Sequence, residues 1–279
     1  MKRYLILDCN FLAHRAKYIF GDLSYAGSAT GVIYGFLKDI LALSQKFSTQ
    51  DFIFCWDDSL TSERKKIYPE YKGNRVVVER TEDELAFDRE FNTQVYLLRT
   101  QYLSMIGFAN NFWQAGYEAD DIMATVVENI ERPDEAIIVT ADKDLFQCIC
   151  SNVSCYNPIT RVETTHNIFY KRYNIKPYQW AKVKAIAGCT TDNVKGVAGV
   201  GEKTAIKFLQ KELNPNTKAY KNIIAGWNMI LDNKKLVNLP FEGTYEPKIS
   251  RDNVSQQSWN IVTKLLGMKS IRIKKVRKG

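Results

Sequence analysis

The stretch Ala136-Ile-Ile-Val-Thr-Ala-Asp-Lys-Asp144 decides the fold. A short run of β-branched and small apolar residues reads as a strand buried on both faces, and two carboxylates follow it at once. The same grammar occurs twice upstream. Tyr4-Leu-Ile-Leu7 runs into Asp8, and Phe52-Ile-Phe-Cys-Trp56 runs into Asp57 and Asp58. Between these two, Val32, Phe36, Ile40, Leu43 and Phe47 recur at helical spacing. Residues 82–106 read as one long helix and 119–130 as another. Strands alternating with helices predict an α/β fold, a doubly wound and mainly parallel sheet with helices on both faces. Ligands of such sheets bind beyond the carboxyl ends of the strands. One strand-terminal Asp is an ordinary turn or cap residue, but Asp8, Asp57 and the Asp142/Asp144 pair on three strands predict convergence.

A second acidic group stands in G-Y-E-A-D-D-I-M-A, residues 116–124, which places Glu118, Asp120 and Asp121 within a few positions. Acids in the first turn of a helix are favoured by its dipole, so this stretch alone needs no special partner. Together with the strand-end acids it does, because burying like charges costs several kcal/mol per ion unless a cation offsets them. With Asp192 from the second half the candidates are Asp8, Asp57, Glu118, Asp120, Asp121, Asp142, Asp144 and Asp192. A set of carboxylates without His or Cys suits Mg²⁺, with Mn²⁺ as substitute. Eight acids exceed the needs of one Mg²⁺ and predict two ions about 4 Å apart, the arrangement of phosphodiester-cleaving nucleases.

The chain has 279 residues and a net charge of +8, from 39 Lys and Arg against 31 Asp and Glu. That balance favours a polyanionic partner. No stretch is apolar enough to span a membrane and the N-terminus does not read as a signal peptide. The expectation is therefore no membrane association and a cytoplasmic location, the host cytoplasm if phage-encoded. The six cysteines, at 9, 55, 148, 150, 155 and 189, are expected to be reduced. Cys148, Cys150 and Cys155 with His166 lack zinc-ligand spacing and read as core thiols.

After about residue 165 the pattern turns helical, over 167–174, 178–187, 203–212 and 218–231. Two parts are expected, an α/β part over 1–165 and a helical part over 166–279 that ends in a basic tail from Ile271. Within the second, Gly188 to Ala205 is rich in glycine. Gly196 and Gly201 have Walker A spacing, but Glu202 intrudes before Lys203-Thr204 and no strand leads in, so the loop fails that motif. It reads instead as a glycine hairpin, Gly199-Val-Gly201, whose backbone N–H groups, with the following helix start and Lys203, meet a phosphate. A plain turn between helices is the alternative. The segment 63–80 mixes Arg64, Lys65, Lys66, Lys72, Arg75 and Arg80 with Tyr68 and Tyr71, cations and aromatic faces that suit a single strand. The alternative is a solvated basic helix.

The motifs L-D-C-N (7–10), Y-P-E-Y-K-G-N-R (68–75), G-Y-E-A-D-D (116–121), T-A-D-K-D-L-F-Q (140–147) and D-N-V-K-G-V-A-G-V-G-E-K-T-A (192–205) stand in this order. Together they resemble the 5′-nuclease family of flap endonucleases, phage 5′-exonucleases and the 5′-nuclease domain of bacterial DNA polymerase I. The resemblance covers the chain to about residue 240 and implies a PIN-like fold. It implies that Asp8, Asp57, Glu118, Asp120 and Asp121 surround one metal and that Asp142, Asp144 and Asp192 serve a second. Residues 60–95 would form a helical arch for a 5′ single strand. Tyr71 would stack on a base, Lys72 and Arg75 would neutralise the scissile phosphate, and Arg15 matches the family's gateway arginine. By the same resemblance 188–205 is a helix–three-turn–helix that grips duplex DNA, Gly199, Gly201, Lys203 and Thr204 included, and can hold K⁺. One departure stands out, since the family usually has Asp where this chain has Cys189.

The reading is a two-metal 5′-3′ exonuclease and flap endonuclease acting on DNA, a monomer whose polymerase partner would be a separate chain. Two rivals are a nucleic-acid-binding protein with a vestigial metal site, motivated by Cys189, and an NTPase built on the 196–204 glycines.

Overall fold

The computed structural model describes residues 1–58, 62–74 and 80–272. In chain order, strand β1 (Arg3–Asp8) leads into helix α1 (Cys9–Phe20), a small antiparallel hairpin of β2 (Ser24–Tyr25) and β3 (Ser28–Ala29), and helix α2 (Gly31–Phe47). Strand β4 (Asp51–Cys55) is followed by the short α3 (Arg64–Ile67) and by α4 (Glu82–Leu97). After α5 (Leu103–Ile106) come β5 (Asn111–Phe112), α6 (Ala119–Glu128), β6 (Glu135–Val139), β7 (Val153–Asn157) and β8 (Val162–Thr164). The remainder holds α7 (His166–Tyr173), α8 (Trp180–Ala187), a second small ribbon of β9 (Gly188–Cys189) and β10 (Val194–Lys195), and α9 (Glu202–Leu209). It ends with α10 (Lys218–Ala225), α11 (Trp227–Val237) and α12 (Gln256–Leu265).

The main sheet has the order β5-β4-β1-β6-β7-β8. All its pairings are parallel except β7 with β8. Alternation along each central strand feeds two separate cores. Leu5 and Leu7, Phe52 and Phe54, and Ile137 and Val139 pack with α1, α2 and the buried Trp259 of α12. Tyr4 and Ile6, Ile53 and Cys55, and Ala136 and Ile138 face α6, α8 and α11. Both faces are covered, which is why these strands read as continuous apolar runs. The expected fold class is borne out.

Two helices differ from their expected form. The segment read as one helix over 82–106 is α4, a five-residue π-helical stretch at Leu98–Tyr102, and α5. Within the π-helical stretch the Arg99 carbonyl accepts from Asn111 Nδ2 at 2.5 Å. The segment 218–231 is two helices that meet at Gly226. Short β5, β7 and β8 were not among the expected strands. No helix among the described residues is long and apolar enough to cross a membrane.

Candidate metal and nucleic-acid site

Strands β4, β1 and β6 lie side by side at the centre of the sheet and end at the same edge. Asp8 is the last residue of β1 and caps α1, accepting from Phe11 N at 3.0 Å and from Thr140 Oγ1 at 2.9 Å. Asp57, just past β4, accepts from Ala119 N at 2.8 Å, while its own N–H donates to Asn10 Oδ1 at 3.0 Å. Asp142 and Asp144 follow β6, and Asp144 N donates to Asp142 Oδ1 at 2.7 Å. Burial first, then the charges of Asp57 and Asp142, push Asp8 up to about 7. Burial and Asp142 likewise raise Asp144 to about 6. Asp120, next to Asp121 and Glu118, is raised well above the usual carboxylate range, again chiefly by burial.

Four of the eight acids lie beside protein cations, supplied by three side chains. Arg64 is buried, and its guanidinium meets Asp121 with two hydrogen bonds at 2.6 and 2.7 Å. The same arginine donates to Leu236 O at 2.8 Å and lies over the Phe241 ring. Asp121 Oδ1 also accepts from Phe241 N at 2.9 Å, and Oδ2 from Glu118 N at 3.2 Å. These contacts correct two expectations: Asp121 is a structural clamp with its oxygens engaged, and Arg64 does not offer its charge to DNA. The second cation is Lys72, whose Nζ lies 2.5 Å from Glu118 Oε1 and 3.8 Å from Asp192 Oδ1. The third is Lys184 on α8, 2.9 Å from Asp144 Oδ1 and 3.5 Å from Glu202 Oε1.

The opposite wall of the site comes from the second half. Lys72 N donates to Asp192 O at 2.9 Å, Asn74 Nδ2 to Thr190 O at 2.6 Å, and Asn193 Nδ2 to Glu70 O at 2.8 Å. The 70–74 turn is thereby knitted to the 190–193 loop. That loop closes tightly, since a side chain at Gly188 or Gly196 would overlap backbone atoms of the other arm. Cys189 is buried on its near side, with Sγ donating to Asp192 Oδ2 at 3.0 Å and 3.0 Å from Thr191 Oγ1. Burial raises this thiol to about 11.

Other expected residues are dispersed. Tyr71 is buried in the core, with its hydroxyl donating to Glu118 Oε2 at 3.2 Å, so its ring is not an exposed stacking face. Arg15 is paired with Asp39 of α2. Lys65 is exposed, and Arg75 and the tail beyond residue 272 lie outside the described residues. Gly199, at φ 75°, and Gly201, the N-cap of α9, border open space, with Lys203 exposed in the helix's first turn. Cys150 is exposed and Cys148 half-buried, so of the core thiols expected at 148, 150 and 155 only Cys155 is fully buried. Sequence reading missed Asn10, Thr140 and Lys184 as site residues. Asn10 and Thr140 sit in quoted motifs, and Lys184 lies in the last turn of α8, five residues before Cys189, but no position alone names a partner.

The donor set fits hard divalent ions. Asp8, Asp57, Asp120 and Asp142 offer only oxygen, and the buried Asp120 Oδ1 has no hydrogen-bond partner among the described residues. Parallel strands that deliver carboxylates to one edge, with cations threaded between them, define an α/β protein with an acidic centre whose donors suit a divalent metal. Residues 3–178 match the 5′-3′ exonuclease, N-terminal resolvase-like domain family. A 5′-3′ exonuclease of Aquifex aeolicus is 31% identical over 229 residues, covering 81% of this chain and 74% of that protein. The thermostable DNA polymerase I of Thermus caldophilus is 31% identical over 211 residues, covering 75% of this chain and 24% of that protein. The chain thus spans about a quarter of the length of such polymerase relatives. The bacteriophage T5 flap endonuclease, in a pseudo-enzyme–product complex with DNA and metal ions, superposes with a TM-score of 0.70 at 25% identity, over 86% of this chain and 90% of that one. The chain belongs to the 5′-3′ exonuclease family.

Proposed function

We propose that the protein is a structure-dependent 5′-nuclease, a 5′-3′ exonuclease and flap endonuclease that hydrolyses DNA at a junction of duplex and 5′ single strand. One observation carries the reading: acids from three adjacent parallel strands meet at one edge, close enough that the charges of Asp57 and Asp142 bear on the Asp8 carboxyl. Asp8, Asp57, Glu118 and Asp120 would surround one Mg²⁺ or Mn²⁺, and Asp142, Asp144 and Asp192 would serve a second. When bound, the two ions supply an activated water and stabilisation of the attacking and leaving oxygens.

The remaining work falls to this chain's own groups. Lys72, held between Glu118 and Asp192, places an ammonium where charge grows on the scissile phosphate, with Arg75 as its expected companion. Residues 60–95, of which 60–61 and 75–79 lie outside the described residues, would serve as the arch for the single strand, with Lys65 exposed and Arg15 near the gateway. The 188–205 segment acts as the helix–three-turn–helix. The backbone N–H groups at Gly199 and Gly201, the start of α9, Lys203 and Thr204 hold a duplex phosphate there, and K⁺ can sit on its carbonyls. Such contacts position the duplex without reading its sequence. Products carry a 5′-phosphate and a 3′-hydroxyl. We place the protein as a monomer in the cytoplasm, working beside a DNA polymerase, with parts dividing near residue 165.

A 5′-flap substrate labelled at its 5′ end tests the reading. Mg²⁺ without nucleotide should release the flap as short products, and EDTA should stop it. Binding without cleavage would favour the vestigial-site reading, and a requirement for ATP would favour an NTPase.

A further inference from the structure

Asp144, Cys189 and Asp192 present one oxygen, one sulfur and one oxygen whose positions all lie within 4.8 Å of one another. Among the described residues this is the one cluster of three metal-ligating side chains so close together. It differs in kind from the acids around Asp8, which offer oxygen alone. Its geometry is held from several sides. Asp144 is fixed by its ion pair to Lys184, Cys189 by the β9–β10 ribbon, and Asp192 by the backbone bond from Lys72. Thr191 Oγ1 adds a neutral oxygen 3.0 Å from the sulfur.

A mixed sulfur and carboxylate set is poor for Mg²⁺, which wants near-octahedral oxygen and keeps its waters. It suits ions that accept a thiolate, namely Zn²⁺, Cd²⁺ and Co²⁺. We propose that Asp144, Cys189 and Asp192 form a thiolate–carboxylate site that takes a borderline or soft divalent ion in preference to Mg²⁺. On binding, the S–H bond breaks, its proton leaves to solvent, and the sulfur lone pair forms the metal bond, with no change of oxidation state. Lys184 then acts as a gatekeeper, since its ammonium must move off Asp144 as the ion enters. The proposal deepens the nuclease reading and rests on it for the place of this site beside the reaction. The consequence is a nuclease whose two metal subsites differ in selectivity, so that an incoming soft ion occupies one of them and tunes or arrests cleavage.

The test is a Cd²⁺ titration of the full chain, followed by the near-ultraviolet sulfur-to-metal charge-transfer band. A Cys150→Ser background removes the exposed thiol, and far-ultraviolet circular dichroism checks the fold. One equivalent of Cd²⁺ should raise the band. Cys189→Ser should abolish it and weaken Cd²⁺ binding by at least about tenfold, the scale on which loss of a metal-site partner acts. Cys189→Asp should also lose the band while gaining affinity for Mg²⁺. No band in the folded parent, or a band that survives Cys189→Ser, overturns the proposal. Flap cleavage in Mg²⁺ is measured on the same samples to separate the two readings. Cleavage without the band removes the thiolate site and leaves the nuclease, and the band without cleavage in any metal does the reverse.

Discussion

The acids at the strand ends and the charged groups of the 64–74 and 188–193 loops meet in one site but are held there by different physics. Asp8, Asp57 and Asp142 are placed by backbone register: three neighbouring parallel strands stop at one edge, and the next residues have nowhere else to go. Lys72, Cys189 and Asp192 are placed by loops that hydrogen-bond across more than a hundred residues of sequence. Among the strand-borne acids, Asp8 is raised first by burial and then by the neighbouring charges of Asp57 and Asp142. The loop-borne Asp192 has the Lys72 ammonium within 3.8 Å. The first group offers oxygen alone, while the second brings a sulfur, a carboxylate and an ammonium to the same site.

The largest effect should come from the link between the regions. Removing one partner of a buried ion pair costs about 3–5 kcal/mol, and Arg64 and Asp121 are both buried. Arg64→Met should therefore lower the free energy of unfolding in urea by about that amount. Restoring most of it in Arg64→Met with Asp121→Leu would show that the pair serves as a clamp, not as metal machinery. A mild loss in the single variant would break the assignment.

A smaller effect separates chemistry from grip. Lys72→Ala should slow single-turnover cleavage by about a hundredfold, the scale of one lost charge-stabilising donor, while duplex affinity changes little. Lys203→Ala should do the opposite, weakening binding and reducing the salt slope of log K by about 0.9 for one lost phosphate contact. Equal losses of rate and affinity in both would erase the proposed division. The smallest effect concerns position 189. Cys189→Asp should lower the Mg²⁺ concentration for half-maximal cleavage a few-fold, because a carboxylate suits that ion better than a thiol. An unchanged or higher midpoint would show that the site is adapted to sulfur.

The same contrast explains what could be read in the sequence. Apolar runs ending in Asp announce a parallel sheet and its ligand edge, so the fold class, the central strands and the acids beyond them were legible. The breaks in two helices were not, because a side-chain hydrogen bond from Asn111 to the Arg99 carbonyl and a junction at Gly226 leave no mark on apolar spacing. Arg64 and Asp121 were misassigned for a different reason. Their motif residues look like those of a binding site, and only the approach of Leu236 and Phe241 from the far end of the chain turns them into a buried clamp. Tyr71 shows the same limit, its aromatic ring used for core packing where the pattern suggested a base.

The central claim is that the strand-end carboxylates hold the reactive metals while DNA is gripped elsewhere. Asp142→Asn tests it most directly, since Asp142 is exposed and the amide keeps the shape while losing the charge. Flap cleavage under limiting Mg²⁺ and flap binding without added metal should be measured on the same protein. The account predicts cleavage lost and affinity unchanged. Cleavage at the wild-type rate, or a loss of affinity in step with the loss of rate, would contradict it.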